Sequence, residues 1–203
     1  MRTNRIEALT DGIFAIAMTL LVLNLALPGM GKALTDGEFR NLLFGQTGIF
    51  LNYAMSFVIL ALFWIGHHRQ FHFIKQTDGT LLWINIFALM FVALVPFSTS
   101  LIGDYASKQL ASFFFASNIF MFGMLSLSNW VYATRGHRLV DRSLPPQLIA
   151  LLTKRGTVTP LVSVIVMGLS FVDPRMCFYA FLLIPILLGS LAHRYPKISG
   201  DNI

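Results

Sequence analysis

The stretch RIEALTDGIFAIAMTLLVLNLAL, residues 5–27, decides how the chain is read. From Gly12 onward it is apolar except for Thr19 and Asn24, and it is long enough to cross a bilayer as a helix. Asp11 nevertheless stands a turn or two inside its start. A carboxylate at that depth is costly in hydrocarbon, so it requires a partner or a water-filled cavity. On a helix, Ile16, Leu20, Leu23 and Leu27 fall on one narrow stripe with Gly12, and Thr19 lies at its edge. Asp11 points roughly the other way. The segment therefore carries two working faces, one of branched apolar side chains and one bearing the acid.

The rest of the chain repeats this apolar character. Of 203 residues, 56% are hydrophobic and only 12% are charged, against about 25% charged in a soluble domain. Apolar runs at about 6–27, 43–66, 81–102, 110–132, 157–172 and 176–192 predict an all-α, polytopic membrane protein. Residues 1–203 read as a single domain of six transmembrane spans. Arg2 and Arg5 ahead of an apolar run resemble a secretory signal. Glu7 and Asp11 break that pattern and no small-x-small cleavage site follows, so the segment is expected to stay as a helix. The stretch from Ala133 to Gly156 is expected to be the most water-facing part, a solvated basic connection.

Lys and Arg collect on the cytoplasmic side of membrane proteins. Arg2, Arg5, Arg69, Lys75, Arg135, Arg138, Arg142, Lys154, Arg155, Arg194 and Lys197 lie on one side of the six-span reading, and only Lys32, Arg40, Lys108 and Arg175 on the other. Eleven against four puts both termini in the cytoplasm. The net charge of +6 is thus accounted for by topology, and no nucleic-acid partner is expected. Cys177 is the sole cysteine, which rules out a disulfide within one chain and a thiol metal cluster.

His67, His68 and His72 read H-H-x-x-x-H, a spacing that ligates iron in membrane desaturases. That chemistry needs several such boxes, whereas His137 and His193 stand alone, so neither metal nor cofactor is expected. Nucleophile elbows, phosphate loops and zincin helices are absent, and so is enzymatic chemistry from this reading. Trp64 and His68 share a helix face at i, i+4, on the same membrane side as Arg5 and Asp11, and the four are candidates for an inter-helix cluster. A TVGYG loop is also missing, which excludes a carbonyl filter of that kind. Periodicity leaves the apolar stripe open to two readings, ordinary packing or a pore lining. A proton-coupled transporter using Asp11 and the His67/His68 cluster is the alternative to a channel, and a non-transporting scaffold is a third class.

The start R-x-x-x-L-T-D-G-I-F-A-I-A-M-T-L-L-V-L resembles the signature of the transmembrane protein 175 family. Its animal members are lysosomal potassium channels and its bacterial members have one six-span unit. The second-span ending F-W-I-G-H-H-R-Q-F and the third-span ending L-V-P-F-S-T-S-L-I-G are similar to two further landmarks of that family. Where the signature usually reads Phe-Ser-Asp, this chain has Leu9, Thr10 and Asp11. The resemblance implies a homotetramer in a bacterial cell membrane, with the first helices lining a central, potassium-permeable pore. It places the hydrophobic constriction on Ile16, Leu20 and Leu23 and a threonine hydroxyl on Thr19. It also implies a structural polar network of Arg5, Asp11, Trp64, His67 and His68.

Overall fold

The computed structural model describes residues 3–25 and 35–194; Arg2, Leu27, Pro28, Gly29, Lys32 and Lys197 lie outside them. These residues form α1 (Asn4–Leu20), α2 (Asp36–Gly45), α3 (Thr47–Phe73), α4 (Gly79–Asp104), α5 (Gln109–Thr134), α6 (Pro146–Leu169), α7 (Pro174–Ala180) and α8 (Leu183–Arg194). A 3-10 turn, Leu21–Asn24, prolongs α1. Six helical segments are long and apolar enough to cross a membrane: Asn4–Asn24, Thr47–Phe73, Gly79–Asp104, Gln109–His137, Pro146–Leu169 and Pro174–Leu191. The last of these is broken between α7 and α8.

The helix ends depart from the apolar runs because helices end where backbone hydrogen bonding ends, and not at the first charge. Helix α3 continues to Phe73, so His67, His68 and His72 stand inside it and not in a loop. Its start moves from residue 43 to Thr47, because Gln46 leaves the helical conformation and separates α2. Helix α2 itself begins in a capping box: the Thr35 side chain accepts from the Glu38 N–H, and the Glu38 carboxylate accepts from the Thr35 N–H at 2.8 Å. Helix α6 begins at Pro146, eleven residues before the expected Thr157. Proline fits the first turn, where an N–H has no helical partner anyway.

Helix α5 sits between α4 and α6, and α1 rests at the edge of the bundle on α3 and α4. Rings interlock at the centre. Phe63 stacks on Phe122 at 4.3 Å, Phe14 meets Phe122 edge-on at 6.3 Å, and Phe115 meets Phe178 and Phe181 at 5.4 and 5.3 Å. Each such pair adds about 0.5–1.5 kcal/mol beyond the area it covers. Gly123 lets α5 and α6 approach: a Cβ there would lie 2.9 Å from Pro160 Cδ and Thr159 Cγ2.

A second apolar cluster closes the end of the bundle where α1 begins, joining Ile6 to Phe71, Ile74, Leu81 and Trp130. Part of its cover comes from the connection expected to be solvated. Leu139, Val140 and Leu144 are buried there, and residues 146–156 are helical. The chain reverses at Gly136 (φ 63°), a left-handed conformation that glycine adopts without penalty. It then pairs with the α3–α4 linker: the N–H groups of Lys75 and Gln76 donate to the Leu139 carbonyl at 2.9 and 3.3 Å. Asp78 holds three elements together. Its carboxylate accepts from the Leu81 N–H at 2.9 Å and the Tyr132 hydroxyl at 2.7 Å, and the Arg138 guanidinium lies 3.5 Å away.

Candidate functional site

Helix α1 buries Ile6, Thr10, Phe14 and Ala17, with Leu21 continuing the same face into the 3-10 turn. The spacing of three and four residues makes one continuous stripe, turned toward α3 and α4. Ile16, Leu20 and Leu23 lie on another face and remain 60%, 42% and 70% exposed. Gly12 and Thr19 are exposed beside them. The 3-10 turn has about three residues per turn, so Leu23 stands almost over Leu20 and the row stays straight at its end. The Thr19 hydroxyl donates to the Ile16 carbonyl at 2.8 Å. With its proton committed to the helix, the Thr19 oxygen presents lone pairs outward.

The acid has a partner from α3. The Trp64 indole N–H donates to Asp11 Oδ1 at 2.8 Å, and the Trp64 ring stacks on His68 with centroids 5.9 Å apart. His67 turns the other way, into the bundle. Its Nε2 lies 3.0 Å from Asn85 Oδ1, and the Asn85 amide donates to the Thr10 hydroxyl at 3.3 Å. Because that amide nitrogen serves Thr10, its oxygen is the acceptor, and Nε2 of His67 carries the proton. His67 also stacks on Phe71 at 4.1 Å, while His72 meets Phe73 edge-on. The three histidines of H-H-x-x-x-H therefore have three different partners. Arg5 is exposed and forms no hydrogen bond or ion pair among the described residues.

Thus Asp11, Trp64 and His68 are brought together, His67 joins a separate buried chain, and Arg5 joins neither. Asn85 and Thr10 are the members that the site reading lacked. The signal was present: an amide inside an apolar span has to find a partner in hydrocarbon. Further along α4 the polar seam continues. Thr99 donates to Ser56 at 2.8 Å, Asn118 to Ser98 at 3.2 Å, and Asn24 to the Pro96 carbonyl at 3.0 Å. Pro96 lacks an N–H and interrupts the helical ladder at the place where these side chains gather.

Six helices long and apolar enough to cross a membrane, the first of them pinned by polar contacts at the edge of the bundle, define a multi-pass membrane protein. Residues 5–96 match the family model described as the endosomal/lysosomal potassium channel TMEM175. A potassium channel of Chamaesiphon minutus is 31% identical over 174 residues, covering 84% of this chain and 85% of that one. One of Streptomyces collinus is 29% identical over 192 residues, covering 92% and 91%. Among solved structures, the lysosomal potassium-selective channel TMEM175 homolog from Chamaesiphon minutus superposes with a TM-score of 0.77 at 27% identity, covering 95% of this chain and 97% of that one. The chain belongs to the TMEM175 family of membrane channels.

Proposed function

We propose that the chain is a passive, potassium-permeable channel of a bacterial cell membrane, built from four copies around an axis lined by α1. The observation that carries this reading is the straight row Ile16, Leu20 and Leu23, left uncovered by the described helices while a neighbouring face of α1, Ile6, Thr10, Phe14 and Ala17, is packed. Its relatives of both bacterial genera are named potassium channels. Four such rows would form a hydrophobic neck, which closes by dewetting and conducts when it widens. Gly12 leaves the path broad on one side of Ile16. Potassium holds its hydration shell less firmly than sodium, so a tight neck favours it where part of the shell is shed. The outward lone pairs of Thr19 replace some of that lost water.

Asp11 and Trp64 then fix the rotation of α1 about its own axis, since a turn that hid the row would break their hydrogen bond. Arg5, without a hydrogen bond or ion pair among the described residues, is available to a neighbouring copy. The excess of cationic residues at the Arg69 and Arg138 end supports a cytoplasmic position for both termini. A proton-coupled carrier would need Asp11 and the histidines on one path, whereas Asp11 is bound to Trp64 and His67 to Asn85.

The test is flux. Purified protein in liposomes is expected to dissipate a potassium gradient, with Ile16→Asn and Leu23→Ser raising the leak by wetting the neck. Correctly folded protein that carries no potassium, and whose flux neither substitution alters, would overturn the reading. Saturable transport that moves a solute together with protons would favour the carrier instead.

A further inference from the structure

A cavity of about 290 Å³ lies between α3, α5, α6 and α8, away from the α1 row. Its polar lining includes Arg69 of α3 and Arg155 of α6. Neither guanidinium has an ion pair among the described residues, and Arg155 donates only a long hydrogen bond there, 3.5 Å to the Leu188 carbonyl. Two cations facing one cavity without a carboxylate repel each other and leave most of their donors free. Gln70 lines the same cavity, is 7% exposed, and has a side-chain oxygen with no hydrogen-bond partner among the described residues. A buried acceptor left unpaired is unfavourable, so its position is explained by a donor that reaches it.

The remaining walls are apolar, among them Leu62, Phe63, Ile65 and Leu188. At Pro185 this cavity meets a second one of about 150 Å³, lined only by apolar residues: Ala54, Met55, Val58 and Ile59 of α3, with Phe181 and Leu182 at the break between α7 and α8. Residues 54, 55, 58, 59, 62, 65 and 69 recur at helical spacing along one side of α3. From Ala54 to Arg69 the trough runs about 22 Å at about 1.5 Å per residue. That length exceeds by one headgroup depth the ~15 Å of hydrocarbon in a single leaflet. The break in the sixth span keeps α8 from packing closely along α3, which leaves the trough open.

We propose that this trough is a binding site for one anionic phospholipid, its phosphate held between Arg69 and Arg155 and an acyl chain lying along α3 toward Met55. A hydroxyl-bearing headgroup such as glycerol supplies the donor that Gln70 lacks. The site stands apart from the pore reading, because none of its residues belongs to α1. A lipid held there ties α3 to α6 and α8 by bridging three helices through one ligand.

The test is native mass spectrometry of the detergent-purified protein incubated with phosphatidylglycerol, with phosphatidylcholine of the same chains, or with inorganic phosphate alone. Phosphatidylglycerol is expected to be retained about ten-fold better than phosphatidylcholine, and the preference to disappear in the double variant Arg69→Gln/Arg155→Gln. Val58→Trp, at an exposed position that fills the apolar part, is expected to weaken lipid retention with both arginines intact. Size-exclusion profiles and helical circular dichroism identify variants that remain folded. Equal retention of the two lipids, full retention by the folded double variant, or no lipid held by the wild type would overturn the proposal. Inorganic phosphate that binds as well as the lipid and is indifferent to Val58→Trp would overturn it too, in favour of a free-phosphate site.

Discussion

The two faces of α1 are made of the same kind of residue and do opposite things. Phe14, Ala17 and Leu21 disappear into the bundle, whereas Ile16, Leu20 and Leu23 remain in the open. Hydrophobicity does not separate them, since a lipid-facing and a protein-facing residue are equally apolar in a membrane. What separates them is the polar anchoring on either side. Thr10 reaches Asn85 from the packed face, and Asp11, one residue on, reaches Trp64. Two hydrogen bonds to two different helices set the rotation of α1, and the apolar row is what that rotation leaves outside. The lesson is that a few polar contacts orient a membrane helix whose apolar residues are indifferent to orientation.

Substitutions that treat the two faces alike sharpen this contrast. The largest expected effect is that of Phe14→Ala, which removes a ring packed edge-on against Phe122 and costs about 3–5 kcal/mol. Ile16→Ala, two residues away, is expected to change stability by less than about 0.5 kcal/mol while altering flux. Thermal unfolding of the purified protein in detergent checks both, and equal losses would erase the distinction. Next is Asn85→Ala, which leaves His67 and Thr10 buried without their partner. It is expected to cost about 1–3 kcal/mol in the same assay. A neutral Asn85→Ala would mean that packing alone orients the helix.

The smallest effect concerns the foot of the packed face, where Ile6 joins the cluster beneath the α5–α6 connection. The Leu81 N–H, then the Tyr132 hydroxyl and the Arg138 charge, hold the Asp78 carboxyl below the usual carboxylate range. A carboxyl so depressed stabilises the folded state above its unfolded value of about 3.9. That contribution is lost as pH falls through the lower folded value. The protection factors of the Lys75 and Gln76 amides, exchange rates relative to the unfolded chain at the same pH, are therefore expected to be insensitive to this group between neutrality and about pH 5, and to fall only as pH drops below about 3.9. Protection lost already at pH 6 would assign the loosening to another group.

The six spans were readable because bilayer thickness imposes a length on apolar runs, and the runs are long. Their ends were not readable. Helix α3 carries Arg69 and His72 past the apolar stretch, and α6 includes Lys154 and Arg155, because a helix needs backbone partners and not apolar side chains to continue. The demand of Asp11 for a partner was readable from its depth. The separate course of His67 was not, because His67 and His68 are adjacent in sequence and only the register between α3 and α4 sends one to Asn85 and the other to Trp64. The burial of Leu139 and Val140 escaped for the same reason. Short apolar pairs in a basic connection announce nothing until a second loop, here Ile74 to Gln76, pairs with them.

The central claim is that the open face of α1 meets the permeating ion. Cys177 is buried and is the sole cysteine, so Cys177→Ser provides a background for single thiols. The direct measurement is potassium flux through Leu23→Cys in liposomes before and after a membrane-impermeant cationic thiol reagent. Leu161→Cys, at an equally open position on α6, serves as the reference. The account predicts that the reagent stops flux through the Leu23 variant and leaves the Leu161 variant unchanged. Full flux through Leu23→Cys after its thiol is shown to be modified would contradict it.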